Sequence, residues 1–179
     1  MMSNSSLTHE NADQKTSVHT SPNDYQALFI GEVAPNKKPA VEQGLGCPGI
    51  GLWFHCEGAL LWDPYGSLMR SVLMMVHRHP SVQTIYVVAE SSKEGASAKH
   101  RPVVLGTGVS EDIMSTLHYL LRYVQGVDPW VWLQSGSDPA VAVVHSVRLL
   151  REHPLMPKSI SVQGFLVEET DTRLWPVDA

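Results

Sequence analysis

GIGLWFHCEGALLWDPYGSLMRSVLMMVHRHPSVQTIYVVAESSKE, residues 49–94, lays out a strand, a turn, a helix and a second strand in succession. Leu52 to His55 has the composition of a short strand, and Ser67, Leu68, Ser71, Val72, Met75 and Val76 recur at the spacing of one helical face. That spacing predicts a helix from about Gly66 to His79, stopped by Pro80. Thr84 to Ala89 then reads TIYVVA, the β-rich run of a strand covered on both faces. In open α/β sheets ligands gather beyond the carboxyl ends of strands, so Glu90, Ser91, Ser92 and Lys93 are the first candidates for chemistry.

Working outward, Tyr25 to Val33 (YQALFIGEV) predicts a first strand, and residues 34–51 read as a loop broken by Pro35, Pro39 and Pro48. Gly44, Gly46 and Gly49 in that loop satisfy GxGxxG. The match lacks the required context, because a dinucleotide fingerprint joins a strand directly to a helix, and here the chain runs on into Leu52 to His55.

Beyond the opening stretch, Asp112 to Val124 predicts an amphipathic helix with Ile113, Leu117, Leu120, Leu121 and Val124 on one side. Asp138 starts another, with Pro139 at the favoured first position and a stop before Pro154. The alternation of Ile160, Val162, Phe165 and Val167 predicts a strand, with a turn at Thr170 to Thr172 and a short return. Residues 102–106 (PVVLG) form a brief apolar run, and residues 127–134 (VDPWVWLQ) bring two tryptophans together. Residues 1–24 hold almost no large apolar side chains and read as a disordered tail, leaving residues 25–179 as a single domain.

The composition bounds the function. Of 179 residues, 43% are hydrophobic and 17% charged, the profile of a globular protein. A net charge of -5 at pH 7 gives no basic face for nucleic acid. No apolar run reaches the ~18 residues that mark a membrane-spanning helix, and the N-terminus lacks the layout of a secretory signal, so the expected location is the cytoplasm without membrane insertion. Cys47 and Cys56 are read as free thiols of a reducing compartment.

Two segments then become familiar. Residues 54–72, FHCEGALLWDPYGSLMRSV, and residues 146–177, SVRLLREHPLMPKSISVQGFLVEETDTRLWPV, resemble the β-class carbonic anhydrases, above all their short bacterial members. The first is similar to that family's RNAGG segment, acidic turn and Ser-Leu helix start. The second is similar to its closing helix, Pro-x-x-Pro turn and final hairpin. The resemblance extends over roughly Tyr25 to Val177 and implies a three-layer α/β fold with a small, mainly parallel central sheet, assembled as a homodimer.

The family's chemistry rests on Zn²⁺ held by a Cys from a C-x-D-x-R segment and by the His and Cys of an H-x-x-C segment. The metal lowers the pKa of bound water to about 7, which yields a hydroxide nucleophile. Here the first segment reads FIGEVAPN, which puts Gly31 at the Cys position, Val33 at the Asp and Pro35 at the Arg. The second reads VVAESSKEG, with Glu90 at the His position and Lys93 at the second Cys, close enough to pair with Glu90. The resemblance therefore implies a degenerate site, with no cofactor.

Three readings follow. A metal site rebuilt from Cys47, His55 and Cys56, with Glu57, His77 or His79, would restore zinc, although adjacent His55 and Cys56 do not readily point into one cavity. A metal-free enzyme would use Glu90 as a base beside Ser91, Ser92 and Lys93. The preferred reading is a pseudoenzyme retained for binding, an accessory or regulatory subunit whose partner belongs to inorganic-carbon uptake or fixation. An apolar surface around Trp53, Trp62, Trp130 and Trp132 would serve a dimer or such a partner.

Overall fold

Five strands carry the architecture in the computed structural model, which describes residues 25–56, 61–91, 110–124, 126, 138–168 and 170–179. They are β1 (Ala27–Glu32), β2 (Gly51–His55), β3 (Thr84–Ser91), β4 (Ser161–Glu168) and β5 (Leu174–Val177). The sheet order is β2-β1-β3-β4-β5. β1 pairs in parallel with β2 and β3, β3 pairs in parallel with β4, and β5 returns antiparallel to β4.

Alternation along the strands builds two cores. Leu28, Ile30, Ile85, Val87, Ala89 and Val162 face one way and join α2 (Ser67–Arg78) and α4 (Pro139–Glu152). Ala27, Phe29, Val88 and Val167 face the other way, where Val33, Val41 and Cys47 complete a smaller cluster. Val41 belongs to α1 (Lys38–Gly44), so helices cover the sheet on both faces and the expected three-layer α/β fold is present.

Local chemistry explains the helix ends. α2 buries Met69, Val72, Leu73 and Val76, and carries His77 and Arg78 in its last turn, where cationic side chains complement the helix dipole. At the start of α4, Asp138 Oδ1 accepts from the backbone N–H of Ala140 (2.9 Å) and of Val141 (3.2 Å), and Pro139 fills the first turn. Ser110 caps α3 (Glu111–Tyr119) by accepting from Ile113 N.

Three expectations change. The presumed loop at 34–51 contains α1, because Pro39 sits in the first turn, where the missing proline N–H goes unneeded. β3 runs on to Ser91, so Glu90 is a strand residue. The helix expected over Asp112 to Val124 is α-helical only to Tyr119 and continues as a π turn at Leu120–Val124. Of its expected apolar face, Leu121 is buried while Ile113 and Leu120 stay half-exposed. The tail at 1–24, the run at 102–106 and the segment at 127–134 lie outside the described residues.

Candidate functional site

The carboxyl ends of β1 and β3 lie side by side, with Gly31 opposite Val88 and Glu32 opposite Ala89. Strand parity sends the Glu90 side chain to the α1 face, the face of Phe29 and Val88. There Glu90 Oε1 accepts from Ala34 N at 2.6 Å and Oε2 accepts from Lys37 Nζ at 2.8 Å. Both groups are largely sheltered, with side-chain exposures of 14% for Lys37 and 24% for Glu90. One carboxylate thus ties the end of β3 to the segment that leads from β1 into α1.

Gly31, Val33 and Pro35, three of the expected site positions, lie in or just after β1, beside this bridge. Gly31, next to last in β1, has φ 157°, and a Cβ built on it would lie 1.8 Å from Val88 O and 2.8 Å from Val88 C. The backbone of β3 has closed over the spot, and even an alanine would need the strands to part. Val33 is fully buried in the apolar cluster of Phe29, Val41 and Val88. Pro35 is exposed, and Lys93 and Ser92 lie outside the described residues. Lys37 is the residue that sequence reasoning missed. Its only signal is a cation six positions after Gly31, and nothing local marks its partner 53 residues away.

These residues do not fit zinc. Gly31, Val33 and Pro35 offer no side-chain donor atom, and the carboxylate of Glu90 is already engaged by an ammonium and a backbone N–H. A cation placed there would face Lys37 Nζ and would have to displace it.

The alternative ligands are dispersed. Cys47 lies in the α1-face cluster, whereas Cys56 packs against the α2–α4 core on the opposite face. Neither is in a disulfide. His55 is exposed at the end of β2. His77 Nε2 donates to Leu155 O at 3.0 Å, and the His79 ring meets Tyr25 edge-on at 5.6 Å. Among the described residues no three of His, Cys, Asp and Glu come together as a metal-binding group; Glu57 lies outside them.

Burial pushes the Cys47 thiol above its ordinary range, and the negative charge of Glu42 adds to the effect. Burial likewise raises the Tyr86 phenol, with Cys47 contributing. Both groups are held as neutral, non-nucleophilic acids at neutral pH.

Of the tryptophans expected to share a surface, the two described ones, Trp53 and Trp62, lie on opposite faces of the sheet. Trp53 stacks on Phe29 (4.4 Å, 11°) and donates from Nε1 to Glu42 Oε1 at 2.7 Å, with Lys38 Nζ over its ring. Trp62 sits instead beside His145 of α4, which belongs to the layer on the other face. Trp130 and Trp132 lie outside the described residues. No described helix is long and apolar enough to cross a membrane.

No family model matches the chain. It is similar to the Bacillus subtilis protein named "Putative carbonic anhydrase-like protein YbcF", with 29% identity over 149 residues, covering 79% of this chain and 81% of that protein. Among solved structures it resembles β-carbonic anhydrase isoform I of the protozoan Trichomonas vaginalis, with a TM-score of 0.62 at 20% identity over 86% of this chain and 82% of that one. It also resembles a tetrameric β-carbonic anhydrase of the fungus Sordaria macrospora, with a TM-score of 0.54 at 16% identity over 87% and 82%. The chain is thus similar in sequence to carbonic-anhydrase-like proteins and has the fold of the β-carbonic anhydrases.

Proposed function

We propose that the protein is a pseudoenzyme, a β-carbonic-anhydrase scaffold kept for binding and unable to hydrate CO₂ through a zinc hydroxide. The observation that carries this reading is the engagement of Glu90 by Ala34 N and Lys37 Nζ at the place where the family's chemistry would be held. A neutralised, hydrogen-bonded carboxylate makes a good structural clamp and a poor metal ligand. With no activated nucleophile among the described residues, the arrangement favours a structural role for the old site. The scaffold acts as a homodimer and as an accessory or regulatory subunit in the cytoplasm, its partner a component of inorganic-carbon uptake or fixation. The names of the relatives, which point to CO₂ chemistry, support that last assignment.

Stopped-flow CO₂ hydration by the purified protein, with and without added Zn²⁺, tests the catalytic half. The expected rate is that of the uncatalysed reaction in both cases, and zinc-dependent turnover would overturn the reading. Affinity purification from the native host tests the other half, and recovery of the homo-oligomer alone would remove the accessory role.

A further inference from the structure

On the face of the sheet opposite Glu90, a cavity of about 320 Å³ opens between α2 and the turn that follows α4. Arg70, Leu73, Met74 and His77 contribute from α2, spaced i, i+3, i+4 and i+7 along a single face. Tyr65 and Leu155 add further walls, and the volume is within the range of small-molecule sites. Leu73 is 8% exposed and forms the floor, while Tyr65 (83%), Leu155 (62%) and Met74 (37%) stand open at the sides.

The polar groups of the cavity divide into spent and available ones. His153 accepts from Leu155 N at Nδ1 (3.2 Å) and donates from Nε2 to Pro64 O (3.1 Å), so both ring nitrogens are committed. The Nε2–H of His77 is taken by Leu155 O. Arg70 makes no ion pair among the described residues, and its guanidinium is the one permanent charge of the lining. A preformed apolar slot with a single unpaired cation is complementary to an apolar body bearing one anionic group.

We propose that this cavity binds a small amphiphilic carboxylate, its alkyl or aromatic body between Leu73, Met74, Tyr65 and Leu155 and its carboxylate on Arg70. The site is independent of the Glu90 clamp, and its test is independent of any catalytic assay.

Isothermal titration of the full chain with octanoate, benzoate and the neutral analogue octanamide tests it. Saturable binding of octanoate or benzoate is expected, the tighter of the two identifying an alkyl or an aromatic body, with octanamide at least about tenfold weaker than octanoate. Arg70→Gln, at an exposed position, removes the preference for octanoate over octanamide, and Met74→Glu abolishes binding of both. Circular dichroism checks that the two variants fold. Absence of binding, equal binding of octanoate and octanamide, or titrations unchanged in the Arg70→Gln and Met74→Glu proteins would overturn the proposal. So would sedimentation showing that Met74→Glu turns a dimer into a monomer that binds no carboxylate, since a second copy would then fill the cavity.

Discussion

Glu90 Oε2 lies 2.8 Å from Lys37 Nζ, and this ion pair joins the end of β3 to the start of α1 across 53 residues of chain. Its companion bond from Ala34 N makes the carboxylate a clamp on a turn that β1 must negotiate. Removing the carboxylate strands both donors, whereas removing the ammonium leaves the backbone bond in place. Glu90→Ala is therefore expected to destabilise by about 1–3 kcal/mol, and Lys37→Met by about 1 kcal/mol, in urea titrations. A double-mutant cycle should return a coupling clearly above the few tenths typical of an exposed pair. Additive effects would mean that the two side chains do not support each other.

Gly31 permits the close approach of β1 and β3, and the closeness is set by backbone: the atom nearest to an added Cβ is Val88 O at 1.8 Å. Backbone cannot swing aside as a side-chain tip does, so Gly31→Ala is expected to cost about 3 kcal/mol or more. Gly164 provides the contrast. There an added Cβ meets Val143 Cγ1 at 2.5 Å and Val147 Cγ2 at 3.1 Å, and side chains of α4 yield more readily than a strand. Gly164→Ala should cost about 1–3 kcal/mol, less than Gly31→Ala, and thermal melts of the two variants test the order. The same geometry predicts that Gly31→Cys yields misfolded protein rather than a restored metal ligand.

How far the sequence could be read depends on the range of each interaction. α2 and α4 were legible because periodic burial, Asp138 with Pro139, and the stops at Pro80 and Pro154 are local signals. β3 was legible because a strand covered on both faces has no polar alternation. α1 was not, since Pro39 and Gly44 mark the two ends of a short helix as readily as they mark a loop. At the site, the sequence showed that donors were missing at Gly31, Val33 and Pro35. It did not show what Glu90 does, because Lys37 reaches it only through the parallel pairing of β1 with β3.

Alkaline pH should expose the buried acids on the α1 face. The Cys47 thiol is raised from an ordinary value of 9.0 by burial and then by Glu42, and the Tyr86 phenol is raised from 10.0 by burial and then by Cys47. An acid whose folded pKa exceeds its unfolded one binds its proton more tightly in the folded state. Its effect on stability is full below the unfolded value and is lost as pH rises through the folded one. Urea midpoints are thus expected to fall as pH climbs past about 9, and the fall should be shallower in Cys47→Val. Iodoacetamide should modify half-buried Cys56 ahead of Cys47 at pH 8. Equal alkylation rates would place Cys47 in contact with solvent, against its 7% exposure.

Ser146 lies in the middle of α4 at 0% exposure, an unfavourable place for a hydroxyl unless it is used. Its Oγ accepts from Leu61 N at 2.8 Å, and Leu61 is itself 2% exposed, so the bond satisfies a backbone donor in the loop between β2 and α2. That loop delivers the chain to Gly66 at the start of α2, so one serine of α4, 85 residues beyond Leu61, ties α4 to the approach to α2. Ser146→Ala removes the acceptor and adds no group to replace it, leaving Leu61 N–H buried and unpaired. The expected loss is about 1–3 kcal/mol, seen as a lower urea midpoint with an unchanged slope. Amide exchange at Leu61 should accelerate in step with it. A variant as stable as the parent, with Leu61 still protected, would show that another acceptor takes over the N–H.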